Sequence, residues 1–216
     1  MNRKIAVFLF VLVLGVQSSR AQEMSASSSS SQSGYIFDSY FAFAWELGMP
    51  TGDNKFVDDF SFAGGTIEYR RMMSNGHLSL GMDISWNSYK EYLPYSTFHL
   101  NSGSDVTTDL YKFNYTLPIA VTLHHYFSNN GKVIPYVGIG VGALYCRPSL
   151  YFNIYELYEE NWGFLVRPEL GIMIKSDGDV GLLLGTRYSM STNQEAGFKI
   201  DNLQALSFQV GLAWTY

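Results

Sequence analysis

The C-terminal stretch alternates without error, with Leu206, Phe208, Val210, Leu212, Trp214 and Tyr216 on one face and Ser207, Gln209, Gly211, Ala213 and Thr215 on the other. Successive side chains of a strand point to opposite faces, so this stretch reads as a β-strand with one apolar surface and one of small and polar residues. Residues 77–87 repeat the pattern: Leu78, Leu80, Met82, Ile84 and Trp86 oppose His77, Ser79, Gly81, Asp83, Ser85 and Asn87. Residues 180–190 set Val180, Leu182, Leu184 and Tyr188 against Gly181, Gly185, Arg187 and Ser189, blurred by Leu183 and Thr186. A soluble β-sandwich alternates too, but it turns its apolar face inward and rarely leaves so many strands a glycine-rich, charged opposite face. The pattern favours a barrel whose apolar face looks out to lipid.

Turn signals divide the chain into eight strands at 38–48, 60–72, 77–89, 109–127, 133–147, 161–175, 180–190 and 203–216. The connections 73–76, 128–132 and 176–179 are short and carry Gly76, Gly131 and Gly178, while 49–59, 90–108, 148–160 and 191–202 are longer. Long and short alternate strictly. Antiparallel hairpins need few residues, and outer-membrane barrels combine short periplasmic turns with longer external loops. An even strand count returns the chain to its starting side, and closure removes the edges that an open sheet would expose to lipid. The predicted fold class is all-β, a single transmembrane up-and-down antiparallel β-barrel of about eight strands.

The N-terminus adds an address. Asn2, Arg3 and Lys4 precede an apolar run from Ile5 to Val16 that is too short to cross a bilayer as a helix. Ser19 and Ala21 then offer small residues to a signal peptidase, so residues 1–21 are expected to be a cleaved signal peptide and Gln22 the mature start. The competing reading is a short buried helix. No cysteine directly follows the cleavage point, which argues against a lipid-anchored form. Ser25 to Ser33 is of low complexity, so 22–37 is read as a disordered Ser-rich leader and 38–216 as the barrel domain.

Composition agrees with export to a membrane. Aromatic residues reach 16 % against 15 % charged, with 16 tyrosines, and tyrosine and tryptophan collect at membrane interfaces. After the first segment no apolar run reaches the roughly 18 residues of a transmembrane helix. The net charge of −5 supplies no basic face, so nucleic acid is not an expected partner. Cys146 is the only cysteine, so no disulfide can form within the chain.

Three motifs resemble the outer-membrane β-barrel domains related to the barrel of outer membrane protein A. They are Leu117-Pro118-Ile119-Ala120-Val121 in a strand that ends His124-His125-Tyr126-Phe127, the run from Pro135 to Ala143, and the aromatic C-terminal Tyr216. The resemblance covers residues 38–216. It implies an integral outer-membrane location, with outer-membrane lipids as neighbours and the barrel-insertion machinery recognising the C-terminal aromatic strand. It implies little about function. Compared with full-length relatives of that type, the chain stops at Tyr216 and is expected to have no domain that binds peptidoglycan.

With the apolar faces outward, the inward set includes Glu46, Asp83, His124, Arg167, Glu169 and Arg187, and charges facing a narrow lumen normally pair. If Ser176, Asp177 and Gly178 form the turn, Arg167 faces Arg187 and Glu169 faces Gly185. If Asp177, Gly178 and Asp179 form it, Glu169 faces Arg187. Either register leaves Glu169 within direct or diagonal reach of Arg187. The expectation is a structural salt-bridge plug, with a conduction or binding site as the alternative.

The segment His124 to Asn129 holds two histidines and Ser128, but it lies at a short turn, and His124 and His125 point to opposite faces. No enzyme is expected, and no cofactor. His77, His99, His124 and His125 are scattered, so no metal site is expected. Tyr92, Tyr95, Phe98, Tyr151, Phe152, Tyr155 and Tyr158 fall in the long loops. They read as strands four to six continuing above the membrane with an aromatic girdle, the alternative being a surface for an extracellular ligand. The functional expectation is a structural or surface-interaction barrel, with a narrow pore or small apolar-ligand transporter as the alternative.

Overall fold

The computed structural model describes residues 37–52, 56–74, 76–99, 105–128, 131–152, 155–176, 178–195, 197–198 and 200–216. The expected signal peptide, and the leader up to residue 36, lie outside them. Eight long strands carry the fold: β1 (Ser39–Thr51), β2 (Ser61–Met72), β3 (Leu78–His99), β4 (Asp105–Tyr126), β5 (Val133–Phe152), β6 (Asn161–Lys175), β7 (Val180–Ser191) and β8 (Gln204–Thr215). Tyr155–Tyr158 adds a short strand beside the end of β5, and Gln194–Glu195 pairs with Ile200–Asp201. There is no helix among the described residues.

Each long strand pairs antiparallel with its neighbours in sequence, and β1 pairs with β8 from Tyr40↔Thr215 to Thr51↔Gln204, which closes the ring. The seam is tied at its lower end by Asp38 N donating to Tyr216 O at 2.9 Å and Tyr216 N to Ser39 O at 2.8 Å. The short turns share this end. In one of them Gly76 takes φ +69°, a left-handed conformation that favours glycine.

The barrel is inside-out. Val121, Leu170 and Val210 are 53 %, 58 % and 45 % exposed, while their chain neighbours Thr122, Glu169 and Gln209 are 1 %, 5 % and 2 % exposed. Adjacent residues of one strand must face opposite ways, so the polar set is inside and the apolar set outside. On β4 the outward residues Tyr115, Leu117, Ile119, Val121 and Leu123 are apolar or aromatic; that eight-residue step, at about 3.3 Å per residue and a tilt of about 40°, spans about 20 Å, and Phe113 and Tyr111 continue the aromatic series above it.

Strand β6 begins and ends as the pattern indicates, β1 and β7 run on to Thr51 and Ser191, and three others extend further at their upper ends. β3 continues to His99, β4 starts at Asp105 and β5 runs to Phe152. The continuation therefore involves strands three to five, not four to six, and Tyr92, Tyr95, Tyr151 and Phe152 belong to long strands rather than loops. Above a lipid band both faces of a strand can be solvated. The hydrophobic alternation that marks a strand within the band then disappears, while the backbone ladder persists.

Candidate functional site

The lumen is filled in layers. At the lower end Tyr40, Ala42, Met72, Tyr126, Ile134 and Met173 form part of an apolar cluster. At the upper end Phe56, Val57 and Ile200, from two of the long connections, pack against Tyr89 of β3. Between these clusters lies a charged layer.

Its centre is Glu169 on β6. Glu169 Oε1 accepts from Arg167 Nε at 2.9 Å, and Oε2 lies 2.9 Å from His124 Nε2, 3.5 Å from Arg70 Nη2 and 3.4 Å from Arg187 Nε. Glu68 on β2 accepts from Tyr40 Oη at 2.9 Å, from Arg187 Nη2 at 2.8 Å and from Arg70 Nη2 at 3.3 Å. Arg167 also reaches Asp83 Oδ2 at 2.5 Å and Ser85 Oγ at 3.3 Å. Higher up, Glu46 accepts from Thr66 Oγ1 at 2.6 Å, Asn87 Nδ2 at 2.9 Å and Gln209 Nε2 at 3.4 Å, with Arg187 Nη1 at 3.7 Å. Three guanidinium groups thus face four carboxylates, with His124 beside Glu169.

The six residues singled out from the pattern, Glu46, Asp83, His124, Arg167, Glu169 and Arg187, are all buried in this layer. Of the two possible registers the structure has the second, with Glu169 paired to Arg187 and the turn centred on Gly178. Two members were missed, Glu68 and Arg70 on β2. The alternation there is obscured by Gly64 and Gly65 and by Arg71 on the outer face. Register supplies the missing indication: Glu68 pairs with Asp83 across the β2–β3 hairpin, and directly paired residues share a face.

Seven strands contribute polar groups to the layer, and the eighth contributes room. Strand β5 presents Gly138, Gly140 and Gly142 inward. The His124 ring lies over Gly138, its cross-strand partner, and stacks on Tyr136 with centroids 4.5 Å apart and planes 14° apart. A Cβ at Gly140 would come within 3.0 Å of Thr122 Cγ2 and 3.4 Å of Glu169 Oε1, which border the strip that glycine leaves. Long side chains of neighbouring strands therefore lie flat across the lumen. A cavity of about 40 Å³ remains between the charged layer and the upper cluster, lined by Glu46, Asn87, Thr116, Leu144, Leu203 and Ser207, with room for about one water molecule.

His125 points outward, where its ring stacks with that of His77 at 6.0 Å. The buried His124 shares its Nε2 with Glu169 rather than with a hydroxyl nucleophile. Among the described residues no cluster of His, Cys, Asp or Glu is arranged to hold a metal ion. Asn129 lies outside the described residues.

No family model matches the chain, and no curated protein matches it. Among solved structures it is similar to Neisserial surface protein A, with a TM-score of 0.52 and 15 % identity over 82 % of this chain and 97 % of that one. The likeness is one of fold, a closed eight-stranded antiparallel barrel. Looser superpositions are found with the attachment invasion locus protein of Yersinia pestis, TM-score 0.49 and 10 % identity over 83 % of this chain and 99 % of that one. Another is the outer membrane protein OprG from Pseudomonas aeruginosa, TM-score 0.47 and 12 % identity over 85 % and 98 %.

Proposed function

We propose that the protein is an integral outer-membrane β-barrel with a structural or surface-interaction role, its lumen closed to ions by the arginine–carboxylate layer. The observation that carries this reading is the Arg167–Glu169–Arg187 cluster with Asp83 and Glu68, in which every member is at least 95 % buried. An eight-stranded barrel has an interior that side chains just fill. Here they meet as paired charges, and opening a path would separate charges in a poorly solvated interior. The outward apolar band supports a lipid setting, and the extension of β3, β4 and β5 above it supports a surface for an external partner. The aromatic end at Tyr216 suits recognition by the insertion machinery. No catalytic step is assigned to His124, whose ring is held between Tyr136 and Glu169.

The second reading is a narrow pore or a transporter of small apolar ligands. The glycine row of β5 is the feature that favours it, because a wall without side chains is where a lumen could widen.

Membrane fractionation tests the location. The chain should be recovered with the outer membrane, and its intact mass should begin at Gln22. Recovery of the uncleaved chain from a soluble or inner-membrane fraction would overturn the proposal.

A further inference from the structure

The charges of the lumen layer do not balance. Three guanidinium groups face four carboxylates, and among the described residues no other Lys, Arg, Asp or Glu is buried. His124 does not supply the missing positive charge. Its Nε2 lies on Glu169 Oε2, the oxygen that Arg70 Nη2 also reaches at 3.5 Å, so a proton gained there would stand beside a guanidinium.

The excess negative charge falls on Glu46. Asp83, Glu68 and Glu169 each have a guanidinium nitrogen within 2.9 Å. The guanidinium nearest Glu46 is that of Arg187 at 3.7 Å, and its hydrogen bonds come from the neutral Thr66, Asn87 and Gln209. A buried charge held mainly by neutral donors is costly.

The cavity of about 40 Å³ adjoins this carboxylate, and among the described residues Glu46 is the only charged side chain that lines it. Two other lining oxygens, Asn87 Oδ1 and Thr51 Oγ1, are buried with no hydrogen-bond partner among the described residues, and Asn87 is only 2 % exposed. Because Asn87 Nδ2 donates to Glu46 Oε1, the amide offers its oxygen as a further acceptor beside the carboxylate. A carboxylate and neutral oxygens around so small a space suit a hard cation, which takes oxygen ligands. Charge and size narrow the class. One carboxylate balances a single positive charge, whereas calcium takes about six to eight oxygens, carboxylates prominent among them.

We propose that this cavity binds one monovalent alkali cation, sodium or potassium, held by the Glu46 carboxylate with Asn87 Oδ1 and Thr51 Oγ1, and that the ion completes the charge balance of the layer below. A water molecule would also fit the space and donate to Asn87, but it would leave the layer one charge short. An alkali ion needs no cluster of His, Cys, Asp or Glu, only oxygens. The site lies on the outer side of the layer, so an ion reaches it without crossing the closed lumen.

The test unfolds the full chain with urea in phosphatidylcholine vesicles while sodium or potassium chloride replaces N-methylglucamine chloride at constant ionic strength. Once the ion saturates the site, the folded-to-unfolded ratio of the unmodified protein should rise about tenfold for each tenfold rise in one of the two ions. Glu46→Gln, which keeps the shape of the side chain and removes its charge, should flatten that response. Crystals of the unmodified protein grown with rubidium chloride should show the ion's anomalous signal beside Glu46, a reading that does not require the variant to fold. Indifference of the unmodified protein to both ions overturns the proposal, as does an equal response in Glu46→Gln. A stronger response to calcium than to either alkali ion, or a rubidium signal missing from the cavity, overturns it too.

Discussion

Arg167 on β6 reaches across the lumen to Asp83 on β3, with Nη2 2.5 Å from Oδ2, and so joins two strands that share no backbone ladder. The same guanidinium donates through Nε to Glu169, so one side chain holds two carboxylates in place. Removing it leaves both without that partner in a buried layer. Arg167→Ala should therefore destabilise the barrel by about 3–5 kcal/mol, measured by urea unfolding in lipid vesicles. Adding Asp83→Asn to that variant should restore part of the loss, because one stranded charge is gone. A single-variant cost below about 1 kcal/mol would mean the layer contributes little.

The two faces of β8 should respond differently to substitution. Val210 faces outward and Gln209 inward, where Gln209 donates to Thr66 Oγ1 at 3.0 Å. Val210→Arg should cost about 2–4 kcal/mol near the middle of the band. Gln209→Ala, which removes the bonds to Thr66 and to the Glu46 carboxylate, should cost less, about 1–2 kcal/mol. Equal costs in the same unfolding assay would argue against the assignment of faces.

Glycine on β5 is needed for the space it leaves. A Cβ at Gly138 would collide with the His124 ring and come within 2.9 Å of the Leu123 carbonyl, whereas one at Gly178 meets nothing within 4 Å. Gly138→Ala should cost about 1–3 kcal/mol by overpacking, and Gly178→Ala should leave stability nearly unchanged. If the two variants unfold at the same urea concentration, His124 is not confined as described.

The parts of this architecture that obey the period-two rule within the lipid band were legible in the chain. Leu206 to Tyr216 and Leu78 to Trp86 reveal both their strands and their faces, and parity alone brought Glu169 near Arg187. Glu68 and Arg70 escaped because Gly64, Gly65 and Arg71 interrupt the alternation of β2, although pairing from Asp83 would have led to Glu68. The upper parts of β3, β4 and β5 escaped for a different reason. Lys90, Glu91 and Tyr92 are in a strand above the apolar band, where neither face has to be greasy. The packing of Phe56 and Val57 against Ile200 and Tyr89 joins segments far apart in the chain, and no local pattern encodes such a contact.

The central claim is that the arginine–carboxylate layer closes the lumen, and a planar bilayer tests it most directly. Purified and reconstituted, the unmodified barrel should show no steady ion conductance, because Arg70, Arg167 and Arg187 bridge Glu68, Asp83 and Glu169 across the interior. Arg187→Ala, which removes contacts to both Glu68 and Glu169, should be less stable and should admit small cations. A stable, open, ion-selective conductance from the unmodified protein would contradict the closed-lumen account and favour the narrow pore.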